Sequence, residues 1–189
     1  MYICIAIITD KLLQNQSRKI TYDLSQKSKI SILSSRLPQH ISLKQSFEVK
    51  HIEEIEEYFD SFVSNVGSLE IQLTKVDLCL MENETTDTQI LWYEIMESSE
   101  LRELHNKLNY ELSDKFGIKM QGFDGSAFRF HSTITYDTNK EEIFKNYFDS
   151  LKSEGMPYSF NVKEIALLYC PDEKPTPGNF ITYKIKEIS

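Results

Sequence analysis

The chain has 189 residues, 40% hydrophobic and 12% aromatic, with 21 basic against 29 acidic side chains and a net charge of −8. That composition suffices for one sizeable core, so residues 1–189 are expected to form one domain, and general disorder is excluded. The acidic balance opposes adhesion to extended duplex nucleic acid, so any anionic ligand has to be held locally.

Residues 2–8, YICIAII, read as a strand buried on both faces. Leu12, Leu13, Ile20 and Leu24 then recur at helical intervals across 10–28. Pro38 opposes helix just before it, which leaves 40–47, HISLKQSF, as a second strand. Ile52, Ile55, Phe59, Phe62 and Val66 form one apolar stripe of a helix that Gly67 is expected to stop. From Leu69 the alternation runs through Leu73 and changes phase at Val76, which predicts a strand with a bulge near Thr74 and Lys75. A polar turn over 82–89 leads to a strand over 90–96, and the two strands suggest a hairpin. Leu101, Leu104, Leu108 and Leu112 mark a helix that begins with serines able to cap it and ends at Gly117. The loop 117–126 holds three of the six glycines, and the next strand is 127–136, AFRFHSTITY. An amphipathic helix over 139–155 follows, and two strands, 158–170 and 179–188, flank the proline-rich stretch 171–178.

Cys4, Cys79 and Cys170 lie in apolar runs at unrelated spacings, as buried thiols of a reducing compartment do. The apolar run at the N-terminus is too short for a signal peptide or a membrane span, so the expectation is a cytoplasmic monomer without a membrane partner. With no H-E-x-x-H, no C-x-x-C and no carboxylate cluster at ligand spacing, neither a metal nor a cofactor is expected.

Two of the four histidines sit in matching tetrads, HISL at 40–43 and HSTI at 131–134. Each is followed by a helix containing YFDSF (58–62) or YFDSL (147–151), an echo that suggests a duplicated strand-helix unit with a pseudo-two-fold axis. Strand parity points His40 with Ser42 and His131 with Thr133. Should those faces meet, two imidazoles near their ordinary pKa of about 6.5 supply one neutral base and one protonated acid for phosphodiester hydrolysis. The hydroxyls of Ser42 and Thr133 then hold the phosphate oxygens. The same parity offers Arg36 and Lys44 on the His40 face, and Arg129 on the His131 face, as local positive charge. His105, at the edge of a leucine stripe, reads as a boundary or satisfied core residue and His51 as a surface one. Tyr169 and Phe123 are aromatic residues suited to stacking on a base, although core packing calls for the same types.

With its paired His, any residue, Ser or Thr, hydrophobic motifs, the sequence resembles the 2H phosphoesterase superfamily, which includes 2′-5′ RNA ligase-like proteins and 2′,3′-cyclic nucleotide phosphodiesterases. The order of strands and helices is similar over essentially the whole chain. The resemblance implies a bilobal α+β fold of largely antiparallel strands around a central cleft. It also implies metal-independent opening of a 2′,3′-cyclic phosphate on a nucleotide or RNA end. Three alternatives remain: a cyclic oligonucleotide or ADP-ribose cyclic phosphate as substrate, selected by loops 117–126 and 171–178; a module that binds such ends without turnover; and a protein-interaction fold whose histidines merely pack.

Overall fold

Tyr2–Ile8 form strand β1 of a computed structural model that describes residues 1–81, 87–151, 158–175 and 178–189. Helix α1 (Lys11–Ser28) follows, its first turn capped by Asp10, whose carboxylate accepts from the Leu13 N–H. Then come β2 (His40–Ser42), β3 (Phe47–Glu48), α2 (Ile52–Ser64), β4 (Glu70–Met81) and β5 (Thr88–Ile95). The remaining elements are α3 (Ser99–Phe116), β6 (His131–Thr138), α4 (Glu141–Leu151), β7 (Tyr158–Asn161), β8 (Glu164–Cys170) and β9 (Ile181–Glu187). Among the described residues, no helix is long and apolar enough to cross a membrane.

The strands make two antiparallel sheets, ordered β2-β1-β8-β9 and β6-β5-β4-β7, with β3 also on β1. The duplication expected from the tetrads is visible in these orders. Units β1-α1-β2-α2-β4 and β5-α3-β6-α4-β8 correspond, and each sends its last strand into the other's sheet, β4 beside β5 and β8 beside β1. Helix α1 likewise crosses to pack on β6, and Thr21 Oγ1 donates to the Ile134 carbonyl at 3.0 Å.

Strand β1 lacks alternation because both its faces are covered. Ile3, Ile5 and Ile7 join the main core with the α2 and α3 stripes, while Cys4, Ala6 and Ile8 meet Ala166, Leu168, Leu37 and Phe180 on the other face. The phase change in β4 is a register shift between Leu73 and Lys75, where a bulge was expected. Helix α3 is capped by Ser98 and closed by Gly117 in the left-handed conformation at φ 67.

Several expectations require correction. HISLKQSF is not one strand: Leu43 N still bonds the Ile5 carbonyl, but the chain then leaves β1 and returns only at Phe47. Helix α2 ends at Ser64, before Gly67, with Asn65 as its cap. The strand expected over 127–136 begins at His131, because the Phe128 carbonyl accepts from Arg102 and the Phe128 and Phe130 rings pack around His105. The strand expected over 158–170 is two, in different sheets: Val162 N closes the pairing with the Leu69 carbonyl, and the chain crosses to β1 at Glu164. The turn expected over 82–89, the end of the 139–155 helix and the proline-rich stretch fall partly or mainly outside the described residues.

The two sheets meet along their edge strands β2 and β6. Buried Gln39 donates from Nε2 to Ser132 Oγ at 2.9 Å and to the Thr133 carbonyl at 2.6 Å, and Ser132 Oγ donates to the His40 carbonyl at 2.7 Å. Gln39→Ala strands buried acceptors and is expected to cost about 1–3 kcal/mol in urea denaturation. Ser132→Ala breaks the same bridge, so the double variant is expected to lose clearly less than the sum of the two.

Candidate active site

His40 and His131 each open an edge strand, at equivalent places in the two sheets. Their rings are tied in the same way: His40 Nδ1 lies 2.9 Å from the Pro38 carbonyl, and His131 Nδ1 lies 2.9 Å from the Arg129 carbonyl. A carbonyl only accepts, so Nδ1 carries a hydrogen in both rings and Nε2 is left as the exchangeable atom. The His131 ring also lies 4.4 Å from the Trp92 ring, centroid to centroid.

Between the sheets opens a cavity of about 440 Å³, walled by Cys4, His40, Ser42 and Leu168 on one side and by Ile90, Thr133 and Tyr136 on the other. Leu33, Ser34, Leu37, Pro38, Gln39 and Phe180 also line it. Thus His40, Ser42 and Thr133 share one wall system. His131 does not line the cavity, yet it is near enough for its charge to lower the affinity of His40 for a proton.

Burial is the leading cause that holds both rings below their ordinary pKa of 6.5. The Pro38 and Arg129 carbonyls oppose that shift, while the Arg129 charge adds to it at His131. Burial therefore favours the neutral form of both rings in the free cleft. An anion entering the cleft reverses the balance by favouring the imidazolium. Cys4 is pushed up to about 11 by burial, so it remains a thiol, 3.4 Å from Ser42 Oγ.

The three cations expected here are placed differently. Lys44 is fully buried outside the cavity, its Nζ donating to Asp124 Oδ2 at 2.6 Å and Asn109 Oδ1 at 2.7 Å, so its charge is neutralised within the protein. Parity misplaced it because β2 ends at Ser42 and the chain turns inward. Arg36 lies in a 3-10 turn (Leu33–Arg36) rather than on a strand; it is exposed, 3.5 Å from the Gly178 carbonyl that borders the cavity. Arg129 is exposed, precedes β6, and is shared between Glu94 at 3.3 Å and Asp77 at 3.7 Å, with its guanidinium over Trp92.

His105 is fully buried, lying 2.7 Å by Nδ1 from the Leu43 carbonyl and accepting the Gly125 N–H at Nε2, which leaves it neutral and structural. His51 is exposed at the start of α2. Phe123 is 68% exposed, and neither it nor Tyr169 lines the cavity. Loop 117–126 does not line it either; that loop instead supplies Asp124 to Lys44, whereas the segment 171–178 contributes Gly178. Sequence reasoning missed Gln39 and Ser132. The available signal was a polar residue beside each tetrad histidine, on the opposite parity. Trp92 and Tyr136 carry no mark that separates them from core aromatics. Among the described residues, no group of three or more His, Cys, Asp and Glu side chains is placed to hold a metal ion.

The family model of the 2′-5′ RNA ligase superfamily matches residues 10–172. No curated protein matches the chain. Solved structures are similar over nearly the full length. TT0787 of Thermus thermophilus is 12% identical at TM-score 0.61, with 100% of this chain and 98% of that one covered. A structure titled as a phosphoesterase is 15% identical at TM-score 0.56, covering 99% and 97%. LigT of E. coli complexed with ATP is 15% identical at TM-score 0.54, covering 100% and 98%. At such identities these likenesses establish the fold.

Two outcomes follow from the buried charges. Asp124→Ala leaves the Lys44 ammonium buried without its counter-ion and is expected to lower unfolding free energy by about 3–5 kcal/mol. Because His40, His105 and His131 are all held below 6.5 in the folded chain, the unfolded chain binds more protons as pH falls. Stability is therefore full above about pH 6.5 and declines below it until the folded values are passed, read as a lower urea midpoint at pH 5.5 than at pH 7.5.

Proposed function

The chain belongs to the 2′-5′ RNA ligase superfamily, the 2H phosphoesterases, and is an enzyme of phosphodiesterase type; from that membership we propose that it hydrolyses a 2′,3′-cyclic phosphate on a nucleotide or RNA end. His40 and His131 are the paired acid and base, and Ser42 and Thr133 hold the phosphate. One observation carries this reading: two imidazoles in equivalent positions, each tied at Nδ1 to the carbonyl two residues before it, beside a cavity lined by both tetrad hydroxyls.

The chemistry follows from those atoms. The Nε2 lone pair of one ring takes a proton from water as the water oxygen bonds to phosphorus. The bond from phosphorus to one ribose oxygen breaks, and that oxygen receives the proton from Nε2 of the other ring. The product is a ribose hydroxyl beside a phosphate monoester, and solvent exchange resets the two rings. Ser42 and Thr133 hydroxyls donate to the non-bridging oxygens, a role that suits an acidic protein because it buries no further cation. Burial favours the neutral form of the free rings, and the substrate's own negative charge recruits the acid's proton. Nucleotide as the ligand class is supported by E. coli LigT, whose structures are titled as complexes with 3′-AMP and with ATP. A role for Arg36 or Arg129 is confined to the approach of the anion, since both are exposed at the periphery.

Turnover of nucleoside 2′,3′-cyclic phosphates and of short RNA with that terminus, in the presence of chelator, is the direct assay. His40→Ala and His131→Ala are each expected to reduce kcat by about 10²- to 10⁴-fold, and undiminished turnover in the double variant removes the mechanism. The acid limb of kcat/KM, which reports the free enzyme, is expected below pH 6.5, with the limb of kcat higher because bound phosphate favours imidazolium. An acid limb of kcat/KM above 6.5 contradicts two burial-lowered histidines.

A further inference from the structure

The two histidines are tied alike at Nδ1, but what lies against each ring differs. His131 rests on Trp92, the chain's one tryptophan, with ring centroids 4.4 Å apart and planes inclined at 37°. The Arg129 guanidinium lies over the same indole, 5.4 Å from its centroid. Trp92 is buried, and among the described residues its Nε1–H has no hydrogen-bond partner. A buried donor left unpaired is a cost to folding, so hydrogen bonding does not account for an indole at this place, whereas its broad face against His131 does. Strand pairing sets the contact, with Trp92 opposite Thr133 and Glu94 opposite His131. The side-chain charges around His131 cancel: Glu94 and Asp77 hold Arg129, and Lys75 lies 3.7 Å and 3.6 Å from the same two carboxylates. His40 has neither feature. Among the described residues, the aromatic contacts made by histidines are those of His131 and His105, and the cavity wall beside His40 carries no Asp, Glu, Lys or Arg.

Resting on the hydrolase reading above, we infer that Trp92 is the positioning residue of His131 and divides the labour of the pair: His131 holds the proton and is the acid, while His40 stays neutral and is the base. The face of an indole is negative and attracts a cation lying over it more strongly than a phenyl ring does. The imidazolium form of His131 gains from that contact, and His40 has no counterpart to it. Once His131 is charged, its positive charge opposes a second proton on His40. The Arg129 charge works against protonation of His131, and Glu94 and Asp77, which hold that guanidinium, offset it. With the phosphate in place, His40 Nε2 takes a proton from the water whose oxygen bonds to phosphorus. His131 Nε2 gives its proton to the ribose oxygen as the bond from phosphorus to that oxygen breaks. Afterwards His40 releases its proton to solvent and His131 regains one, a return that the indole favours. Trp92 does not line the cavity, so it acts through His131 rather than on the ligand.

The single tryptophan makes the contact observable without turnover, because protonated imidazole quenches the emission of an indole lying against it. Over the pH range in which circular dichroism shows the fold intact, emission is expected to rise as His131 loses its proton, and His131→Asn is expected to lack that step. Nuclear magnetic resonance of the imidazole Hε1 protons is expected to show His131 titrating at a higher pH than His40. Trp92→Leu is expected to lower the His131 midpoint by about half a pH unit or more, and to cut kcat near pH 7 about three- to thirtyfold with KM within about twofold. Trp92→Phe, which keeps an aromatic face, is expected to recover part of both, and its midpoint decides the matter should Trp92→Leu not fold. His40 titrating above His131 overturns the inference. So does an emission step that persists in His131→Asn, an unmoved His131 midpoint in the folded Trp92 variants, or a loss carried by KM alone. Titration in the expected order without hydrolysis of cyclic phosphates overturns the hydrolase reading alone; hydrolysis with His40 titrating first overturns this inference alone.

Discussion

The structure turns on one junction, the clasp of Gln39 and Ser132 between the edge strands β2 and β6. Edge strands expose unpaired backbone groups, and here those of two different sheets are joined by side chains instead of by a continuous ladder. Such a joint fixes the distance between the strands while leaving a gap between the sheets. His40 and His131 open those two strands, so the bridge that holds the sheets also sets the spacing of the rings. Ser132 faces the seam while Ser42 and Thr133 face the cavity, and Gln39 serves both, bridging to β6 and lining the cavity beside His40.

Burial explains much of the electrostatics. The interior resolves its one fully buried ion pair among the described residues, Lys44 with Asp124, by adding Asn109 and backbone donors around the carboxylate. That pair anchors loop 117–126 to the segment after β2, and His105 fastens the same region through Leu43 and Gly125. The cleft works under the opposite rule. Its imidazoles are held below their ordinary pKa by desolvation, and a negative charge beside them acts in the opposite direction.

The helices were readable because their stripes are long: Leu101 to Leu112 and Ile55 to Phe62 each span more than one turn. The tetrads were readable because they repeat. What could not be read was any placement set by distant partners. Lys44 looked like a cleft cation until Asp124, far along the chain, took its charge. Arg36 followed strand parity on paper but belongs to a 3-10 turn. The apolar run 158–170 conceals a change of sheet at Val162, because each of its halves suits a buried strand and only the partners β4 and β1 distinguish them.

The exchanged strands bear on how the chain is made. Strand β1 is made before the other elements of this fold, yet one of its two edges pairs with β8, with Tyr2 opposite Cys170. Until β8 has been made, the nascent YICIAII segment keeps that edge open, an apolar template for any neighbouring chain. Closure across so long a separation is slow by its entropy alone. The architecture that brings two remote halves together therefore leaves a fragment of either half without an interior strand of its own sheet.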